Sequence, residues 1–347
     1  VEAAKMGARV LIIDENRTAG GQLFKQIHRF FGSEEHLAGI RGINIGRMLL
    51  DDAEKYGVNI LLNTVVWGLF PDMKLGISDG EKVSIVEAKK IIVSTGASEN
   101  SLSFSGWTLP NIMGAGAAQT MINVHRVLPG KRVLVIGSGN VGLIVAYQLI
   151  QAGADVAAVV EALPSVRGYQ VHASKILRMG IPILTKHTIV RAEGDSSVES
   201  AVISEIDDNF KPVGGSEIEL NVELICIAVG LRPLAELCWM AGMHFDYEPV
   251  LGGFIPLHDE HMQSSIEGMY VAGDVSGVEE ASTAMEEGKL AAAAACMSLG
   301  NVERGKAEQQ MEHTKEQLRA LRLGPYGDYR HDSKLSIIEK YRKKSRS

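Results

Sequence analysis

Apolar positions along the chain fall into short continuous runs separated by amphipathic stretches, the alternation expected of an α/β protein whose parallel strands are buried on both faces. The clearest instance is VLVIGSGNVGLIVAYQLIQAGADVAAVVE, residues 133–161. Residues 133–136 read as a buried strand, the following stretch as a turn and a helix, and the stretch after Gly153 as a second strand closing on Glu161. A shorter relative of this pattern opens the chain. VEAAKMGARVLIIDEN has the form of the back half of a helix, then Gly7, then a strand ending in acids. Residues 43–56 carry Ile45, Met48, Leu49 and Ala53 at helical spacing and stop at Gly57. A strand is expected over 58–66, and a small meander over 75–93 with Asp79-Gly80 as its hairpin turn.

Residues 106–130, with Trp107, Pro110, Gly114 and Gly116, read as a crossover into the central unit. Beyond that unit, 164–169 reads as a loop, 170–178 as a helix, and 182–190, 198–206 and 217–220 as strands. LICIAVGLRP is a further apolar strand running into Gly230. Residues 269–272 form a short buried strand, followed by an alanine-rich helix from about Glu280. After Gly300 the chain turns polar and helical, with Ala307, Met311, Leu318 and Leu321 as a partial stripe. A break is expected at Gly324-Pro325, and the basic end KYRKKSRS reads as a solvated tail.

The candidate chemistry sits at strand ends. Gly137, Gly139 and Gly142, with Asn140 and Val141 between them, make a G-x-G-x-x-G turn between a strand and a helix. The first glycine permits the turn, the second lets backbone approach a pyrophosphate, and the third lets the helix lie close on the strand. Phosphates are favoured at the helix N-terminus by unpaired N–H groups and the macrodipole. Glu161 lies 19 residues beyond Gly142, where a carboxylate takes both hydroxyls of an adenosine ribose and favours NAD over NADP. Val160 competes with it as the last strand residue, which would shift the ribose contact by one. In the opening unit Asp14 is the first acid at the strand tip, while the glycine-to-acid spacing of the central unit points to Glu15 instead. The Gly20-Gly21-Gln22 turn, the small strand end around Thr95 and Gly96, and Gly273-Asp274 at the tip of the last strand are the other candidates for holding a bulky cofactor.

Length and charge narrow the setting. The 347 residues suggest two domains, and a net charge of −7 argues against nucleic acid as a partner. No apolar run approaches the ~20 residues of a membrane span. Cys226, Cys238 and Cys296 are scattered, with no C-x-x-C pair, so a reducing, cytoplasmic compartment is expected. The opening βα unit is incomplete, and its first strand and glycine turn, roughly 20 or more residues, are expected upstream of Val1.

With the Gly7–Gln22 segment, the STG strand end, the second G-x-G-x-x-G and YVAGD in order, the chain resembles the two-dinucleotide-fold flavoproteins of the pyridine nucleotide-disulfide oxidoreductase superfamily. The segments GWTLPNIMGAGAAQTMINVHRVLPGKRVLVIGSGNVGLIVAYQL, RGYQVHASK and LGGFIPLHDEHMQSSIEGMYVAGDVSG resemble more narrowly the flavoprotein subunits of amino-acid- and amine-oxidising complexes. Those are the hydrogen cyanide synthase B, opine oxidase A and dye-linked proline dehydrogenase alpha subunits. The resemblance implies two Rossmann-like domains: an FAD domain (1–115 and 246–302) interrupted by an NAD domain (116–245), with a helical, basic tail (303–347). It implies FAD at Asp14, Gly20, Gly21, Thr95, Gly96, Gly273 and Asp274, and NAD(H) or another adenine nucleotide at the second site. The implied partner is a flavoprotein resembling D-amino-acid oxidase. Some members of the family carry a C-terminal cysteine-rich iron-sulfur domain, and with no cysteine after Cys296 any such cluster is expected to come from a partner, a small iron-sulfur protein.

Hydride and electron transfer through a flavin is the preferred activity. A thiol-disulfide reductase is disfavoured because GGQLFKQIH carries no cysteine pair, and Cys226 and Cys238 read as core thiols. A structural or regulatory nucleotide-binding subunit without NADH turnover is the alternative from another class. His258-x-x-His261 reads as a loop, and His28 as a packed or solvated histidine.

Overall fold

Val133, Leu134 and Val135 are fully buried and Ile136 is nearly so, as a strand covered on both faces requires. Strand Arg132–Ile136 lies inside a five-stranded parallel sheet ordered Ile183–Thr185, Asp155–Glu161, Arg132–Ile136, Leu224–Ile227, Ile112–Gly114. Val133 and Val135 face helices Asn140–Gln151 and Gln170–Arg178 through Leu143, Ala146, Leu149 and Ile176. Leu134 and Ile136 face an antiparallel sheet of His187–Glu193, Ser200–Glu205 and Ile218–Asn221 through Ile189, Ala201 and Ile203.

The structure, a computed structural model, describes residues 1–324 and 327–345. Its contacts divide the chain into two units. One holds Val1–Leu23, Arg29–Ser98 and Leu231–Ser347, and the other Phe24–His28 and Glu99–Gly230. The second therefore interrupts the first in sequence. The change-overs fall at 98/99 and 230/231, not at 115/116 and 245/246. The physical reason at the first is that Ile112–Gly114 is a sheet strand paired to Leu224–Ile227. At the second, helix Glu236–Met240 buries Cys238 with Leu69, Val93 and Met269 of the first unit.

The first unit contains two parallel strand pairs, Leu11–Ile13 with Asn59–Leu61 and Ile91–Val93 with Met269–Val271. It also contains an antiparallel meander of Val65–Phe70, Lys74–Ser78 and Val83–Glu87. Asp79 closes the expected hairpin by accepting the N–H groups of Glu81 and Lys82. Helix Gly42–Lys55 forms as its periodicity indicates, burying Ile45 and Ala53.

Two expected strands are broken, each at a residue in the left-handed region. Asn63 (φ 48°) divides 58–66 between Asn59–Leu61 and Val65–Phe70, and its N–H bonds to Asn16 O. Lys186 (φ 54°) divides 182–190 between Ile183–Thr185 and His187–Glu193, and its N–H bonds to Leu163 O. In both cases a tertiary hydrogen bond outweighs the local strand preference.

The C-terminal region needs a larger correction. Helix Arg304–Leu321 buries Ala307, Met311 and Leu318 of its stripe, the last two in one cluster with Leu290, Ala291 and Ala294 of helix Ala281–Leu299, while Leu321 is half-buried. Most of the basic end, however, belongs to helix Asp328–Lys344, which packs within the first unit. Ile337 and Tyr341 join Leu251, Ile255 and Leu257 in one apolar cluster, and Lys340 and Arg342 pair with Asp246 and Glu260. Pro325, part of the expected break, and Arg346 and Ser347 of the tail lie outside the described residues. No helix among the described residues is long and apolar enough to cross a membrane.

Candidate functional site

The glycine turn follows directly from the packing of the central strand. Gly137 (φ 106°) leaves strand Arg132–Ile136 with its N–H bonded to Val160 O, and a Cβ placed there would run into the carbonyl of Ala228. At Gly142 a Cβ would strike the carbonyl of Gly137, so only glycine lets helix Asn140–Gln151 lie this close. Gly139 is different. It adopts an ordinary φ of −66°, and nothing lies within 4 Å of where its Cβ would be. Two glycines are therefore needed by the fold, while the one between them borders open space at the helix N-terminus. That is the cradle a pyrophosphate requires.

Residues outside the motif hold this turn in place. Glu161 is the last residue of its strand, and a bulge at Ala157, between Val156 and Ala158, accounts for the extra residue that left its position open against Val160. Its side chain is buried. Oε2 accepts the N–H (2.9 Å) and hydroxyl (2.6 Å) of Ser138, and Oε1 accepts the N–H of Leu163 (2.9 Å). Ser138 Oγ in turn accepts the N–H of Arg167, and Asn140 Oδ1 accepts that of Tyr169, fastening the 164–169 loop to the turn. Val141 lies in the first turn of the helix and packs on the core. Ser138 and Arg167 are not recognisable from sequence, because an x position and a loop residue carry no periodic signal.

In the first unit Asp14 follows strand Leu11–Ile13, and its Oδ1 accepts the backbone and side-chain N–H groups of Asn16. Glu15 and Gln22 are exposed, and Gly20 and Gly21 both take positive φ. At Gly96 (φ 78°) and Gly21 nothing lies within 4 Å of the position a Cβ would take, so each leaves room beside the backbone. Thr95 donates its hydroxyl to Leu234 O. These openings fit a bulky cofactor.

The turn Gly273–Ser276 follows strand Met269–Val271 and is held from behind. Glu287, on helix Ala281–Leu299, accepts the Gly273 N–H (2.9 Å) and the Ser276 hydroxyl (2.7 Å). Burial raises the Asp274 carboxyl to about 6. For Glu287 burial acts in the same upward direction, but the charges of Lys334 and Arg322 outweigh it and bring the carboxyl down to about 2. Glu287, Arg322 and Lys334 had no sequence signal, being paired over 35 to 47 residues.

His258 lies in a loop, fully buried, with Nδ1 bonded to Asp259 O and Nε2 without a partner. Burial lowers it to about 4, with the Lys334 charge adding to the effect. The unfolded chain then binds the extra proton between pH 4 and the ordinary histidine value of 6.5. Stability contributed by neutral His258 is complete above that window and lost as pH falls through it, to the extent of about 3 kcal/mol. His258→Asn is expected to flatten the acid limb of a stability–pH profile by this amount, and an unchanged limb refutes the assignment.

Cys226 and Cys238 are buried in different units, and burial pushes both thiols up to about 12. Neither has the electropositive, accessible setting of a redox thiol. Cys238, expected in the nucleotide domain, lies in the first unit. His28 is part-buried in the second unit, and burial lowers its pKa.

Comparison with known proteins places the chain in a family. The chain is 28% identical over 319 residues to the opine oxidase A chain of Rhizobium meliloti (strain 1021), covering 86% of this chain and 68% of that one. It is 24% identical over 341 residues to the hydrogen cyanide synthase subunit HcnB of Pseudomonas aeruginosa, covering 93% and 73%. The fold resembles that of L-proline dehydrogenase from P. horikoshii, with a TM-score of 0.67 and 22% identity over 92% of this chain and 56% of that one. The family described as pyridine nucleotide-disulphide oxidoreductase matches residues 1–288. The chain therefore belongs to the pyridine nucleotide-disulphide oxidoreductases, enzymes of oxidation and reduction whose cofactors are FAD and NAD(P).

Proposed function

We propose that the chain is the flavoprotein subunit of an amino-acid- or amine-oxidising complex, passing electrons between a flavin and NAD(H) or a partner protein. The observation that carries the nucleotide half is the glycine triad, in which Gly137 and Gly142 are closed by backbone and Gly139 alone borders open space. Supporting the other half, the relatives are each named as one subunit of a larger enzyme, an opine oxidase in one case and a hydrogen cyanide synthase in the other. When bound, a flavin supplies hydride acceptance and stepwise electron release. The chain's own residues bind and orient. Gly139, Asn140 and Val141 present backbone to a pyrophosphate, and Glu161 fixes the turn through Ser138 while lying at the ribose position. Asp14, Glu15, Gly20, Gly21, Gln22, Thr95, Gly96, Gly273 and Asp274 line the flavin. The partner in this reading is a D-amino-acid-oxidase-like flavoprotein, with a small iron-sulfur protein as electron carrier.

Anaerobic addition of NADH to the flavin-loaded full chain is expected to bleach the visible flavin absorption stoichiometrically. Tight NADH binding without bleaching would favour a nucleotide site that serves structure or regulation. Bleaching by an amino acid with no partner present would point to a self-contained oxidase.

A further inference from the structure

The last helix of the chain places a lysine where a surface tail would have none. Lys334 is 2% exposed, and Nζ spends all three of its donors on the neighbourhood of one turn: Ser276 O (2.9 Å), Ser276 Oγ (2.8 Å) and Glu287 Oε1 (2.7 Å). Arg322, from the end of the preceding helix, donates Nη2 to the same Glu287 oxygen (2.6 Å). It also grips Glu279 through Nε at 2.9 and 3.1 Å. The side chains of Glu279 and Glu287 are 3% and 2% exposed. Two cations and two carboxylates therefore form a closed, neutral cluster. From it, the Glu287 carboxylate holds Gly273 N–H and Ser276 Oγ, and the Glu279 N–H reaches Asp274 Oδ1 at 3.3 Å.

Among the described residues, the hydrogen bonds that these side chains make outside the cluster converge on Gly273–Ser276. Buried ion clusters are costly and often replaceable by apolar packing without loss of stability, so general stabilisation is a weak reason for one. A fixed backbone geometry is a better one, since the polar partners dictate where each N–H and carbonyl must lie. The clamp comes from residues 322 and 334, beyond the stretch 1–288 that the family shares.

We infer that Arg322 and Lys334 are positioning residues for the flavin, acting through Glu279 and Glu287 to hold the Gly273–Ser276 turn in the conformation that presents Asp274. This rests on the proposed placement of the flavin at Asp274. The C-terminal helices are on this account part of the cofactor site, although neither cation touches the cofactor.

The test compares FAD dissociation constants of the full chain carrying Lys334→Met with Glu287→Gln, which removes a cation and an anion together, with wild type and with Asp274→Ala. NADH affinity at the glycine turn of the second unit serves as the control for folding. The double variant is expected to keep NADH affinity within about twofold and to lose FAD affinity at least about tenfold. Arg322→Lys, which keeps the charge but not the fork, is expected to fall between the two. Wild-type FAD affinity in the folded double variant, alongside weak binding by Asp274→Ala, overturns the inference alone. Wild-type FAD affinity in Asp274→Ala overturns the flavin placement and the inference with it.

Discussion

Gly137→Val is expected to disrupt the second unit, lowering its stability by about 4 kcal/mol or more, because it combines two separate penalties. The position has a φ of 106°, where a β-branched residue is strained, and the Cβ would meet the backbone carbonyl of Ala228 rather than a side chain that could turn aside. Relief would require the exit of strand Leu224–Ile227 to part from the glycine turn, opening the centre of the five-stranded sheet. Gly142→Val should behave similarly, since its Cβ meets Gly137 O. Gly139→Ala supplies the contrast. With open space around it and an ordinary φ, it should cost less than about 0.5 kcal/mol of stability. Yet its methyl group would fill the space where backbone meets pyrophosphate, and NADH affinity should fall about 10- to 100-fold. Denaturant unfolding followed through Trp107, which lies in the second unit, together with NADH titration, measures both quantities. A stable Gly137→Val protein, or normal NADH binding by Gly139→Ala, would remove the structural basis for the nucleotide site.

The second large effect is expected from Glu287→Ala. It removes the shared acceptor of Lys334 and Arg322 and leaves Lys334 with Glu279 Oε2 at 3.8 Å as its nearest carboxylate. Breaking a buried pair from one side costs about 3–5 kcal/mol, mostly the desolvation of the charge left behind. The Gly273 N–H loses its acceptor in the same step, and the Ser276 hydroxyl is left with Gly273 O at 2.9 Å. In a Trp107→Phe background, Trp67 and Trp239 report on the first unit, and the urea midpoint of that unit should fall. Restoring electroneutrality with Lys334→Met should recover a substantial part of the loss. A midpoint unchanged by Glu287→Ala would show that the cluster is solvated and has no hold on the turn.

Much of the chain follows from local pattern because the relevant physics is local. A strand covered on both faces must be continuously apolar, so residues 133–136 are recognisable without any tertiary contact. Glycine spacing reflects the backbone geometry of a single turn, so Gly137, Gly139 and Gly142 could be assigned separate tasks in advance. The helix Gln170–Arg178 begins and ends where its periodicity does, and the parallel α/β character of both units was legible for the same reason.

The side-chain commitments at those places were not legible. An acid was expected at position 161, but a one-residue bulge at Ala157 decides that it is Glu161 that ends the strand, and Ser138 decides where its carboxylate points. Neither leaves a mark on hydrophobic periodicity. The clearest divergence is at the C-terminus. As sequence, residues 328–345 are a charged helix with few apolar positions, and an isolated chain segment of that kind is solvated. As structure, Lys334 is among the most buried cations of the described residues because Glu287 and Ser276 satisfy it from more than forty residues away. The sequence by itself determined the two nucleotide-binding units and the glycines that shape one of them, since those depend on backbone sterics and neighbouring residues. Only the tertiary structure decided which charges are paired in the interior, because the cost of burying a charge depends on partners that the linear order does not reveal.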